Sequence, residues 1–434
     1  MSNQIVTVAV TSLVAPAPNT YQGKGCLVSQ GGTNLSEGSS VYLAQLSDLT
    51  EILQPSVAIS TISWASEVAT VTTASSLGIA SGTILGITVA GCTPDGFNGS
   101  FVATVTGTTT FTYALMNDPG TLTVPGTAQA QGATDLNAMA TTWFAQGAST
   151  GVYVLEVGAV PVATAVANFD AWLIAHPLTY YVFVIPSYWD TVAAFKTLAN
   201  TYTSNTAQTY FFAPVTSSTT THYSGIKSVF AWYTNANAGA TEWDGAAMAW
   251  QVCSAAPSPA RSVPPFSFRY LFGVTPVTLS LTQQTALKAA FVNWVTTGAE
   301  GGISNNMQVW GTTGDGNDFL YWYSVDWVQI NANLIISNTV INGSNTTSNP
   351  LYYNQTGINR LQASAQSVMN TAIGYGLALA PVKVTAVPFT TYVAENPSDY
   401  ATGTYNGLAV TYTPSTGFTQ ITFNVTVSNF PIGA

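Results

Sequence analysis

Charge is scarce in this 434-residue chain, with 8 Lys plus Arg and 18 Asp plus Glu, together 6% of the sequence. A soluble domain usually carries about 25%. The net charge of −10 and the shortage of cations exclude a nucleic-acid binder, because phosphate contacts need Lys and Arg. Networks of surface ion pairs are excluded by the same shortage. Long apolar runs are also lacking. The most apolar stretch, 151–176, contains Glu156 and Asp170 and is broken by Pro161, so no segment of about 20 residues suits a membrane span. The opening residues lack a basic region and an apolar core, which predicts no secretory signal. Cys26, Cys92 and Cys253 are odd in number and far apart, and buried thiols are expected rather than a disulfide framework. The hydrophobic fraction of 47% is ordinary, so the chain has enough apolar surface to fold. Its surface must then be covered by Ser, Thr, Asn and Gln, or by other protein.

Catalytic material is equally thin. His176 and His222 share no metal-ligand spacing with each other or with a cysteine. His176, before Pro177, reads as a helix-end cap and His222 as a polar loop residue. A Cys253–His222 nucleophile pair is conceivable, but a small buried thiol is the better reading of Cys253. Gly314-Asp315-Gly316-Asn317-Asp318 lacks the alternating ligands and distal Glu of a calcium loop, and reads as a turn ending in a helix cap. Glu242 and Asp244 open a predicted helix, where negative charge offsets the dipole. No phosphate-binding loop or nucleophile elbow occurs. These residues predict a protein that is not an enzyme and uses no cofactor or metal.

The texture of the chain divides it. Residues 1–20 hold the strand-like run Ile5-Val6-Thr7-Val8-Ala9-Val10 and then Pro16 and Pro18, the pattern of an extended arm. After the start of a core domain at 21–56, residues 57–132 show short β-branched runs at 69–72, 84–89, 100–105 and 110–115, separated by turn residues. This predicts an inserted all-β sandwich or barrel. From 133 to 280 strands and helices alternate: strands over 152–157, 180–185, 210–212 and 229–233, and helices over 162–175, after Ser187 as cap, and over 243–252. That alternation argues an α/β core. Residues 281–414 predict a helix over 282–295 capped by Thr282, helices over 318–336 and 355–375, and strands over 382–387 and 407–412. The tail, 415–434, ends in a strictly alternating strand with Ile421, Phe423, Val425 and Val427 on one face. The expected fold class is therefore α+β and multidomain, with a strand arm at each end.

Gln329 to Ile336, Tyr353-Asn354-Gln355-Thr356-Gly357-Ile358, the helix to Gly376 and the closing β run are similar to the C-terminal region of contractile bacteriophage tail sheath proteins. The order of parts resembles that family over most of the chain. The insert is similar to a small β module of phage structural proteins, through 69–73, 96–101 and 110–115. The resemblance implies stacked hexameric rings of this chain around a tail tube, contacts with baseplate and tail terminator proteins, assembly in the host bacterial cytoplasm, and a place in the virion tail. It implies that each arm adds a strand to a neighbouring subunit's C-terminal sheet through Ile5, Val6, Val8 and Val10 or Ile421, Phe423, Val425 and Val427. Arg360 and Lys383 are the local candidates to face the tube.

The physics of the two ends agrees with this expectation. An unpaired apolar strand is an aggregation hazard unless a partner edge is defined, and strand addition supplies one. At about 0.5–1.5 kcal/mol net per hydrogen bond, an arm holds usefully but reversibly. The alternative for the ends is ordinary pairing within one chain. Two other functions fit parts of the sequence: a secreted or surface β-rich adhesin that binds carbohydrate, and a hydrolase using Cys253 or a carboxylate pair.

Overall fold

The structure, a computed structural model, describes residues 20–419 apart from 148, 191, 220, 235–240 and 301–302. The chain begins with β1 (Gly25–Ser29), buried along its whole length, and β2 (Ser40–Leu43). It then enters six strands, β3 (Val57–Ala65), β4 (Val68–Thr73), β5 (Ile84–Ala90), β6 (Gly99–Val105), β7 (Thr110–Ala114) and β8 (Thr127–Ala130). These close into a barrel in the order β3-β4-β7-β6-β5-β8. Alternation places Val71, Ile87, Ala103, Phe111 and Tyr113 inside and leaves Thr70, Thr72, Thr104 and Thr112 facing outward. Closure settles the choice between sandwich and barrel, and it removes the exposed sheet edges that an isolated β insert would otherwise carry.

Helix α1 (Gln131–Ala145) follows the barrel, then β9 (Val152–Glu156), α2 (Val162–Ala175), β10 (Val182–Val184), α3 (Ala193–Thr201), β11 (Tyr210–Val215), β12 (Val229–Tyr233) and α4 (Asp244–Cys253). Next come α5 (Leu281–Ala289), β13 (Asn293–Glu300) and β14 (Ile303–Val309). One eight-stranded sheet runs β14-β13-β12-β11-β10-β1-β9-β2. Its six middle strands are parallel, and β14 and β2 are antiparallel edges. The buried aliphatic and aromatic strands explain this layer, since a parallel sheet covered on both faces needs apolar residues at every position. Phe169, Phe183, Trp189, Phe195 and Phe211 interlock on one of its faces.

Two sequence expectations are corrected here. Ser187 does not cap α3. It lies in a short 3₁₀ turn, Ser187–Trp189, and the helix begins at Ala193 after Val192. The helix expected over 282–295 ends at Ala289, and its cap is Ser280, whose hydroxyl accepts the Gln283 amide at 3.3 Å. Phe291 takes a left-handed φ of 57°, and Val292 to Thr297, rich in β-branched residues, turns into strand β13 instead. Trp294 is therefore a sheet residue.

The last elements are α6 (Phe319–Ser344), α7 (Gln355–Gly374), β15 (Ala378–Ala386), α8 (Phe389–Glu395), α9 (Pro397–Thr402) and β16 (Leu408–Pro414). Two compact units result. One comprises described residues of 21–256, 264–319 and 416–419; the other comprises Thr20, 257–263 and 320–415. The second unit thus starts at 320, because the β13–β14 hairpin belongs to the large sheet. Within it, α6 and α7 run antiparallel: Trp327 meets Tyr375 at 5.6 Å between ring centres, and Thr339 meets Ser364 at 2.9 Å.

Candidate intersubunit surface

The arm residues Ile5, Val6, Val8, Val10, Ile421, Phe423, Val425 and Val427 lie outside the described residues. What the structure contributes is a sheet on which a strand could be added. β15 and β16 pair antiparallel, with Val384 opposite Val410 and Lys383 opposite Thr411, and a bulge sits between Leu379 and Lys383. Among the described residues this sheet has only two strands, so each leaves one edge uncovered. Helix α7 covers the Val384 side, and Gln362 donates to the Val384 carbonyl at 3.1 Å. Val384 is buried, yet its cross-strand neighbour Val410 is 41% exposed and Leu379 is 53% exposed. Apolar residues on a short two-stranded sheet with open edges mark a place for further strands. The exposed Leu379 and Val410 were not singled out by sequence, although the alternation of Leu408, Val410 and Tyr412 along β16 is a signal that would have found Val410.

Lys383 is exposed on β15, while Arg360 lies on α7 and is half-buried. The Arg360 guanidinium donates to the carbonyls of Asn349 at 3.1 Å and Pro350 at 3.2 Å, clamping the loop before its own helix. The two cations therefore occupy neighbouring elements of one unit, and Arg360 is engaged with its own loop.

Sequence reading also missed a buried polar junction at the C-terminal ends of β1 and β9, where loops meet in parallel sheets. The Glu156 carboxylate is 1% exposed. It accepts from Ser29 Oγ at 2.9 Å, the Gly31 amide at 2.7 Å, the Thr33 hydroxyl at 2.7 Å and the Gly158 amide at 2.8 Å. Burial raises the Glu156 pKa, and these donors oppose the rise. Nearby on α1, Asp135 accepts the Ser187 hydroxyl at 3.0 Å, and burial pushes its pKa up to about 7. The indole of Trp189 donates to Gln30 at 2.7 Å, and Gln30 donates to Val160. This network fixes the loops that lead to the barrel.

The residues weighed for chemistry have structural roles. Cys253 is buried against Gly25, and burial raises its pKa. The ring of His222 meets Tyr223 edge-on, with Asp190 and Lys196 as its charged neighbours. His176 stacks on Trp172 and contacts its carbonyl at 3.0 Å, the cap expected of it. Asp315 accepts Thr313 and Asn317 within its own turn. Glu242 accepts the amide of Thr275 at 3.0 Å and its hydroxyl at 2.9 Å. Asp244 opens α4, the helix start expected of it. It is 2% exposed, and burial together with the Glu242 charge raises its pKa well above the usual range. Among the described residues there is no group of three or more His, Cys, Asp or Glu side chains able to hold a metal ion, and no helix long and apolar enough to cross a membrane.

No protein-family model and no curated protein matches the chain. Solved structures do. A chain from the anti-feeding prophage baseplate, six-fold symmetrised, aligns over 99% of both chains with a TM-score of 0.58 and 12% identity. A chain from the helical sheath of the same particle in its contracted state aligns over 99% of this chain and 100% of its own, with a TM-score of 0.53 and 9% identity. A chain from the contracted baseplate aligns over 99% of each, at 0.53 and 10%. The described residues thus have a sheath-like fold.

Proposed function

We propose that this chain is the structural subunit of a contractile tail sheath. The observation that carries the reading is the end-to-end likeness to a helical sheath chain, with the inserted barrel and the C-terminal helices included in the alignment. The composition supports it, because charged residues are depleted in the buried parts of interfaces. In this reading subunits form hexameric rings that stack helically on a tail tube, between a baseplate and a terminator, in the virion tail. Assembly takes place in the host cytoplasm, and contraction drives the tube into the host envelope. The energy comes from release of a metastable extended packing.

The open edges of β15 and β16 receive the arms of neighbouring copies, one carrying Ile5, Val6, Val8 and Val10 and the other carrying Ile421, Phe423, Val425 and Val427. Such exchange gives each subunit backbone hydrogen bonds to others and lets them slide without separating. Lys383 and Arg360 face the tube, with Lys383 presenting its amine freely to solvent while Arg360 is tied to its own loop.

Negative-stain microscopy of the purified chain tests the function. Rings or striated tubes are expected, and a monodisperse monomer at high concentration would sink the reading. Deleting residues 1–14 should abolish tubes while leaving the far-UV spectrum unchanged, and tubes that survive the deletion would refute arm exchange.

A further inference from the structure

The sequence contains three Asn-Gly pairs, Asn98-Gly99, Asn342-Gly343 and Asn406-Gly407. Such a pair can modify itself. The glycine nitrogen gives up its proton to solvent and attacks the asparagine Cγ, and the side-chain nitrogen leaves as ammonia. A five-membered succinimide results. Water then opens the ring: attack at Cγ gives aspartate, and attack at the main-chain carbonyl gives isoaspartate. Glycine favours the closure because it has no Cβ to crowd it. The nitrogen and the carbonyl carbon must still be free to meet.

The fold treats the three pairs differently. The Asn98 carboxamide is pinned: its oxygen accepts the Cys92 amide at 2.8 Å and its nitrogen donates to the Cys92 carbonyl at 2.9 Å. Gly99 is held in β6 against β5. Asn342 and Gly343 lie inside α6, where helical hydrogen bonding engages the amide, and Gly343 is buried. Asn406 is the contrast. It is exposed in an irregular stretch just before β16, and its side-chain nitrogen makes a long contact of 3.5 Å with Asp399 Oδ2. Among the described residues no acceptor meets the Gly407 amide. Packing also imposes glycine here. A Cβ at 407 would lie 2.7 Å from the Tyr405 ring, whose hydroxyl donates to the Val387 carbonyl at 2.7 Å.

We propose that Asn406-Gly407 is a site of spontaneous deamidation, and that its products loosen the end of the β15–β16 sheet. The backbone around it is closely engaged. The Asn406 amide donates to Tyr392 Oη at 2.9 Å, and that hydroxyl donates to Asp399 at 2.6 Å. Aspartate at 406 replaces a donor facing Asp399 with a second carboxylate, and neighbouring like charges disfavour each other. Isoaspartate goes further, because it adds a backbone carbon between residue 406 and Gly407. The Gly407 carbonyl accepts the Val387 amide at 2.9 Å, next to the Ala386–Leu408 pair of the ladder. The added length moves that carbonyl out of register and frays the first residues of β16. The inference does not depend on the sheath reading, although it falls on the sheet to which that reading brings the arms.

Mass mapping of peptides from the full-length chain, aged in warm, mildly alkaline buffer, tests the site. Native protein should gain the mass of an amide-to-acid exchange at 406 at least roughly tenfold faster than at 98 or 342. The converted 406 peptide should split into two chromatographic isomers. In urea the three pairs should convert at similar rates, because the fold makes the distinction. Native conversion at 98 or 342 as fast as at 406 overturns the assignment, and so does a native 406 that stays intact. Hydrogen exchange tests the consequence. Peptides within 378–414 should exchange faster in aged than in fresh wild type. Asn406→Gln, whose longer side chain does not close the five-membered ring, should not change on ageing. Equal exchange in aged and fresh wild type overturns the loosening, and so does the same acceleration in aged Asn406→Gln.

Discussion

The hydroxyl of Thr33 donates to the carboxylate of Glu156 at 2.7 Å across 123 residues of sequence. Thr33 lies on the way from β1 to the barrel and Glu156 ends β9, so one buried carboxylate ties the barrel's entry path to the parallel sheet. Glu156→Ala would leave the Ser29, Gly31, Thr33 and Gly158 donors without their acceptor. A loss of about 3–5 kcal/mol in urea unfolding is expected. Glu156→Gln should cost less, because its amide oxygen still accepts some of these donors. Equal stability of wild type and the alanine variant would show that the knot contributes nothing.

Asp135 gives stability a pH dependence. Its folded pKa of about 7 lies above the ordinary carboxylate value, so between these two values the native state binds a proton that the unfolded chain has lost. Stability from this group is full below about pH 4, falls as pH rises toward 7 by at most about 1.4 kcal/mol per unit, and then levels off. Asp135→Asn keeps an acceptor for Ser187 and removes that fall. Urea midpoints at pH 5 and 8 should therefore differ more in wild type than in the variant.

Gly32 and Gly132 mark a close backbone approach. A Cβ on Gly32 would sit 2.4 Å from the Gly132 carbonyl carbon, and a Cβ on Gly132 would sit 2.2 Å from the Gln30 oxygen. Gly32→Ala should cost about 1–3 kcal/mol, since backbone cannot step aside as a flexible side chain can. Gly374→Ala, with open space at the end of α7, should be neutral or stabilising. Calorimetry of both variants separates local crowding from a general intolerance of substitution.

Salt should matter little to polymers of this chain. With 26 charged residues in 434, screening has few attractions or repulsions to act on. Sedimentation between about 0.1 M and 1 M salt should show the critical concentration changing by less than about tenfold. A steeper response would point to an electrostatic interface instead.

Much of the architecture was readable from local pattern. Alternation in 69–72 and 110–115 gave β4 and β7, and the continuous apolar runs at 152–157 and 210–212 gave buried parallel strands. Phe195, Leu198 and Ala199 gave the inward face of α3. Residues 282–295 misled because helical spacing of Leu287, Ala290 and Trp294 coincides there with β-branched residues, and pairing with β12 and β14 decides between the two. For the candidate surface, the strand-like patterns at the two ends lie outside the described residues, and the open β15–β16 edges are a property of pairing, since no run of residues encodes the lack of a neighbour.

The sequence by itself determined that this protein has almost no charge to spend, that it alternates β, α/β and helical segments, and that its interactions must be largely uncharged. Composition and periodicity are local quantities, and they survive in any conformation. Only the tertiary structure decided that the insert closes into a barrel and that Glu156 and Asp135 are buried rather than solvated. Each depends on contacts between residues distant in the chain, where the free energy of a side chain is set by its neighbours rather than by its type.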